Sequence, residues 1–168
     1  MKKIIILLAV SFLAATGVQA QQKIGHINSQ LLLSIMPEMK KAKSDVEQFA
    51  KTYQDRLTKM QKEYDSKVKV LQAEAQTMSE AIKEVQIKEI QDLESRIVQL
   101  SKTGEKEVAG KEQELAAPII KRADVAIKAV AAEQGYSYII DSSTGALLHA
   151  KDEDNILKAV KTKLGITN

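Results

Sequence analysis

Between Pro37 and Pro118 the chain runs for eighty residues without a proline and with only two glycines, Gly104 and Gly110. Glu, Lys, Gln and Ala fill most of the stretch, and all four are strong helix formers. Apolar and aromatic residues recur at Val46, Phe49, Tyr53, Leu57, Met60, Tyr64, Val68, Leu71 and Ala75, eight steps over 29 residues, or about 3.6 per step. That period draws one sticky stripe down a nearly straight helix. The steps run 3, 4, 4 and repeat, an eleven-residue pattern that predicts little left-handed supercoiling.

A weaker second stripe follows at Ile82, Val85, Leu93, Ile97, Leu100, Val108, Leu115 and Ile119, with Glu89, Gly104 and Lys111 interrupting it. Between the two lies Thr77-Met78-Ser79-Glu80, where Thr77 and Glu80 have the spacing of a capping box that starts a new helix. The chain is expected to reverse there, with 38–118 as a helical hairpin whose tip is near 77–80. One unbroken helix is the alternative, since neither glycine nor proline marks the turn. Reversal near Met78 pairs residues whose numbers sum to about 157. Met60 then meets Ile97, Leu57 meets Leu100, Phe49 meets Val108, and the ring of Tyr53 faces Gly104. A large residue against one without a side chain suits a close helix pair. The seam is therefore Phe49, Tyr53, Leu57, Met60, Tyr64, Leu93, Ile97, Leu100 and Val108, and the hairpin is expected to end where Pro118 would kink the return leg.

The flanks read differently. Lys23 to Asn28 is a short strand candidate, followed by the apolar turn Leu31 to Ile35. Ile119 to Glu133 is an alanine-rich helix stopped by Gly135, and Tyr136 to Asp141 is the best strand in the chain. Ala146 to Ala150 is a candidate second strand in that region. Asp152-Glu153-Asp154 places acid at the start of a last helix carrying Ile156, Leu157, Val160 and Leu164 on one face. Residues 21–37 and 119–168 thus make a small α/β head, and the fold class is mainly α with a small β component. Such a head has too few apolar residues to be comfortable alone, and its short strands leave open edges. Self-association is the expected remedy.

The first twenty residues read as an export signal: Lys2 and Lys3, an apolar run from Ile4 to Ala15, then Val18-Gln19-Ala20 before the expected cleavage after Ala20. The apolar run is about a dozen residues, short of the roughly 20 that span a bilayer. There is no cysteine, so disulfides, thiolate metal sites and lipidation of a cysteine are excluded. Loss of the two lysines takes the net charge from +3 to +1, which gives no reason to expect nucleic acid. From Glu38 to Glu114 there are 15 basic and 16 acidic residues, evenly mixed, which reads first as a solvated helix surface. His26 and His149 are the only histidines, and no nucleotide loop, zinc motif or nucleophile elbow is present. Neither histidine is assigned a role, and no catalytic, cofactor-binding or metal-binding residue is expected.

The signal, KIGHINSQLLLSIMPEM, the charged helical pair, and AAPIIKRADVAIKAVAAEQGYSYIIDSSTGALLHAKDEDNILKAVKTKLG together resemble the Skp/OmpH family of periplasmic chaperones. The specific pieces are the strand leading to Asn28-Ser29-Gln30, the Met36-Pro37-Glu38 step, and the strand after Gly135; the hairpin matches only in character. The resemblance implies a homotrimer joined through the head sheets, with Ile24, Ile27, Tyr138, Ile140 and Leu147 as contacts. It also implies a periplasmic location and an ATP-independent holder of unfolded outer-membrane proteins on hairpin surfaces. Membrane-surface contact has no support in so neutral a hairpin. A structural or adaptor coiled coil of the cell envelope is the alternative function.

Overall fold

The computed structural model describes residues 22–166; the export signal and its cleavage point lie outside the described residues. The elements are β1 (Ile24–Ile27), α1 (Ser29–Ile35), α2 (Pro37–Glu74), α3 (Glu80–Glu133), β2 (Tyr138–Asp141), two 3-10 turns (Ser142–Thr144 and Asp152–Asp154) and α4 (Leu157–Leu164). Residues 30–125 pack as one unit, and residues 22–29 with 126–166 as a second.

In the first unit, α2 is 38 residues long, about 57 Å at 1.5 Å per residue. Pro37 opens it, where a missing N–H costs nothing and the fixed φ suits a helix. At the far end the Thr77 hydroxyl donates to the Glu74 carbonyl (3.0 Å), and Ser79 Oγ accepts from Ile82 N–H (3.4 Å) to start α3. The capping residue is therefore Ser79 rather than Thr77, which is occupied with closing α2. Glu38 pairs with Arg122 near the base of the two legs, and Lys67 reaches Glu89 at 2.7 Å near the tip. The Glu89 hydrogen bond holds the Lys67 ammonium above its ordinary pKa.

The return leg departs from expectation at two places. The two helical stretches expected on either side of Pro118 are one element: α3 is a single 54-residue helix that passes through the proline. Proline deletes one rung of the ladder, but Pro118 is exposed and stands among Ala116, Ala117 and a long run of helix formers, whose cooperative propagation carries the helix on. Near the tip, Ile82 and Val85 are 53% and 57% exposed while Ile90 is buried. The inward positions there are Lys83, Gln86 and Ile90, one residue later than the apolar residues suggested.

In the second unit β1 and β2 pair in parallel, Ile24 opposite Tyr138 and Ile27 opposite Asp141. Side chains alternate across the pleat. Gly25 and Ile27 face the covered side, where a Cβ on Gly25 would come within 2.9 Å of both Ile139 and the Tyr136 ring. Ile27, Ala126, Val130, Ile156 and Val160 are the buried apolar residues of this unit. The candidate strand Ala146–Ala150 is absent; that stretch takes no regular structure, and Leu148 is 96% exposed. Strand-like composition is a weak preference that context overrides, and this stretch pairs with neither edge of the two-stranded sheet. Asp152–Asp154 forms a separate 3-10 turn instead of opening α4. The cap is supplied by Asn155, whose Oδ1 accepts from Leu157 N–H at 3.0 Å.

Candidate functional site

Two surfaces carry chemistry that the fold itself does not consume. One is the open face of the small sheet, where Ile24, Tyr138 and Ile140 are 47%, 57% and 38% exposed. His26 shares this face by alternation. Its Nε2 donates to the Lys151 carbonyl at 3.2 Å, and Nδ1 is buried without a partner. His26 and His149 line a cavity of about 290 Å³ together with Ile24, Ile140 and Leu147. Among the described residues no three metal-ligating side chains come together. Ile27, expected among the self-association contacts, points the other way and is 2% exposed. It is a core residue of the head, because the strand period puts it on the covered side. Leu147 is half-buried and lies outside any strand.

The sheet is anchored by Asp141, the last residue of β2. Its carboxylate accepts from the Ser29 N–H (3.1 Å), the Ser29 hydroxyl and the Ser143 N–H (2.9 Å). Desolvation by itself would raise the pKa of this group, but the hydrogen bonds from Ser29 and Ser143 outweigh it and lower the carboxyl to about 2 from 3.8. A group depressed in the folded state stabilises the fold above its ordinary pKa and loses that contribution as pH falls through its folded value, here from about 4 down to about 2. Asp141→Asn is expected to lower stability at neutral pH by about 1–2 kcal/mol and to narrow the gap to the parent as pH approaches 2. Urea unfolding at neutral pH and at pH 3 checks both the loss and its direction.

The other surface is the helical pair. Phe49, Tyr53, Leu57, Met60, Tyr64, Ile97, Leu100 and Val108 are all half-buried, and Leu93 is buried at 1% exposure. Tyr53 lies over Gly104, where an added Cβ would sit 2.9 Å from its ring, and meets Phe49 edge-on with ring centroids 5.5 Å apart. At the tip Thr77, Ser79 and Glu80 are exposed and Met78 is half-buried. Val70, Ile82, Val85, Ile87 and Val98 remain 38–57% exposed, so apolar side chains are spread over a charged surface.

The grooves on the two sides of this pair differ. One, of about 600 Å³, is lined by Arg56, Lys59 and Met60 from α2 and Arg96, Leu100 and Thr103 from α3, with Glu63 its single acid. The other, of about 400 Å³, has Leu57 and Ile97 among Gln54, Thr58, Gln61 and Ser101, with Lys62 its one charge. Counting charge along the chain missed this difference, because a balanced total says nothing about sides. The available signal was that two of the three arginines, Arg56 and Arg96, fall on the same side once the legs are folded back.

Similarity to known proteins agrees with this geometry. The family model described as outer membrane protein (OmpH-like) matches residues 23–164. The chaperone protein Skp of Vibrio cholerae serotype O1 is 26% identical over 155 residues, covering 90% of each chain. The Skp of Pectobacterium atrosepticum is 26% identical over 150 residues, covering 88% of this chain and 91% of that one. These relatives are named as chaperones, not as enzymes. The crystal structure of an OmpH-like protein from Caulobacter crescentus CB15 shares the fold with a TM-score of 0.74 at 20% identity, over 86% of this chain and 85% of that one. With a match that runs from β1 to the last residue of α4, the chain belongs to the Skp/OmpH family.

Proposed function

We propose that the protein is an ATP-independent holding chaperone of the periplasm that binds unfolded outer-membrane proteins and keeps them from aggregating. The observation that carries this reading is the long helical pair whose outer faces keep apolar side chains exposed among charges of both signs, on a chain related to named chaperones. Each exposed valine or isoleucine offers a weak contact, and many weak contacts at high local concentration hold an unfolded chain without a dedicated pocket. Met60 and Met78 add adaptable contacts. The export signal read in the first twenty residues supplies the location.

The open head face supports self-association. Ile24, Tyr138 and Ile140 make an apolar surface on a two-stranded sheet too small to be stable in isolation. Copies joined through it form a homotrimer that surrounds a client with hairpins. Native mass measurement of the purified protein tests this reading: three copies alone, and three copies with one unfolded outer-membrane barrel protein after mixing. A monomer at micromolar concentration that gains no client mass contradicts it.

A further inference from the structure

We propose that His26 makes self-association through the head sheet sensitive to pH: the face holds while His26 is neutral and loosens as acid charges it. The inference rests on the homotrimer reading and adds the group that regulates that surface. His26 sits on the open face of the sheet, with Ile24 beside it on β1 and Tyr138 and Ile140 opposite on β2. A carbonyl only accepts, so the 3.2 Å contact to the Lys151 carbonyl fixes the ring proton on Nε2. The lone pair is then on Nδ1, which is buried and has no hydrogen-bond partner. A second ring proton would enter at that atom, where no acceptor receives it.

The surroundings decide what that proton does. The charged and titratable groups around the ring are Tyr138 on β2, His149 and Lys151 on the irregular stretch after Gly145, and Asp154 on the second 3-10 turn. Lys151 turns its ammonium to Glu153 at 3.3 Å, and its carbonyl accepts the Asp154 N–H at 3.1 Å as well as the His26 ring. Asp154 is the one carboxylate lining the cavity, and it makes no hydrogen bond to Nδ1. Asp141, at the end of β2, is already held by Ser29 and Ser143. His149 is exposed, so water carries its charge. In a single chain His26 is half-buried, and a charged ring can turn toward water. Once other copies cover Ile24, Tyr138 and Ile140, that escape closes and the charge is desolvated without a partner, which disfavours it. The separate chain therefore binds the proton better than the assembly does, and by linkage association weakens as pH falls. Histidine is the side chain whose charge ordinarily changes between about pH 5 and 8. A divalent metal is the poorer fit to this cavity, since among the described residues no three ligating groups converge.

Sedimentation of the full purified protein over a range of concentrations, at about pH 7.5 and about pH 5.5, tests the proposal. The concentration at which half the chains are associated rises by about tenfold or more on acidification, and falls back when the pH is restored. His26→Gln keeps an amide donor for the Lys151 carbonyl but cannot be charged, so its association changes by less than about twofold over the same range. His149→Gln keeps the parent's response. Nuclear magnetic resonance of the ring nitrogens in the parent gives a readout that needs no variant: the associated protein shows His26 with its proton on Nε2, and still shows it at a pH where His149 is charged. A His26→Gln protein that responds as the parent does overturns the proposal, as does a response lost with His149→Gln or a neutral His26 ring protonated on Nδ1. A parent that associates equally at both pH values also overturns it and leaves the homotrimer reading standing. A parent that stays a single chain throughout removes both.

Discussion

Leu93→Ala lowers the stability of the protein by about 3 kcal/mol, the expected cost of deleting a buried leucine and leaving a cavity. Leu93 is 1% exposed, whereas its seam neighbours Ile97 and Leu100 are half-buried. A two-helix pair covers only one face of each helix, so few positions are shielded on all sides. Leu93 is one of them, and the loss concentrates there. Leu100→Ala should cost about 1 kcal/mol, because much of its surface already meets water, and Ile82→Ala, at 53% exposure, less still. Urea unfolding followed by circular dichroism ranks the three, at one fixed protein concentration because the proposed self-association would make stability depend on it. If Leu93→Ala costs no more than Ile82→Ala, the seam register described here is wrong.

Gly104→Leu is expected to destabilise the protein by about 2–3 kcal/mol even though leucine is the better helix former by roughly 1 kcal/mol. The distances set the sign. A Cβ at 104 would lie 2.9 Å from Tyr53 Cδ1, 3.1 Å from Cγ and 3.3 Å from Cβ. A change of χ1 moves Cγ and the ring, but Cβ is fixed by the backbone and stays within 3.3 Å, so no rotamer clears room for a leucine and the helices must part. Gly110, where an added Cβ meets nothing within 4 Å, is the internal control. There alanine should stabilise by about 0.5–1 kcal/mol. Combining Gly104→Leu with Tyr53→Ala should recover part of the loss, a coupling of about 1 kcal/mol or more in a double-mutant cycle. Additive losses would mean that Tyr53 and Gly104 do not share the contact.

The long helices were legible because period and composition agree over dozens of residues, and the Tyr53–Gly104 contact followed from folding one stripe onto the other. What failed to show was decided by neighbours rather than by pattern. Pro118 looked like a kink between two helices, but the ladder on either side is long enough to absorb one missing N–H in a single helix. Ile82 and Val85 looked like seam residues because they are apolar, yet the reversal after Glu74 rotates Lys83, Gln86 and Ile90 inward. Ala146–Ala150 had strand-like composition but joins neither edge of the sheet, and acid at 152–154 looked like a helix start although the side chain at the start of α4 that accepts from its first N–H is Asn155. Ser79 likewise displaced Thr77 at the tip because the Thr77 hydroxyl was taken by the Glu74 carbonyl. At the candidate site, composition averaged away the sidedness of Arg56, Lys59 and Arg96. Pleat alternation along β1 is by itself enough to put Ile27 and Ile24 on opposite faces.

The central claim is that this chain holds unfolded outer-membrane proteins by surface contacts and without nucleotide. The most direct measurement is light scattering as an unfolded outer-membrane barrel protein is diluted from urea into buffer containing the purified protein and no ATP. Scattering is expected to fall as the protein approaches three copies per client, and nucleotide is expected to bring no improvement. Scattering that rises as fast with the protein as without it, at several-fold excess, contradicts the account.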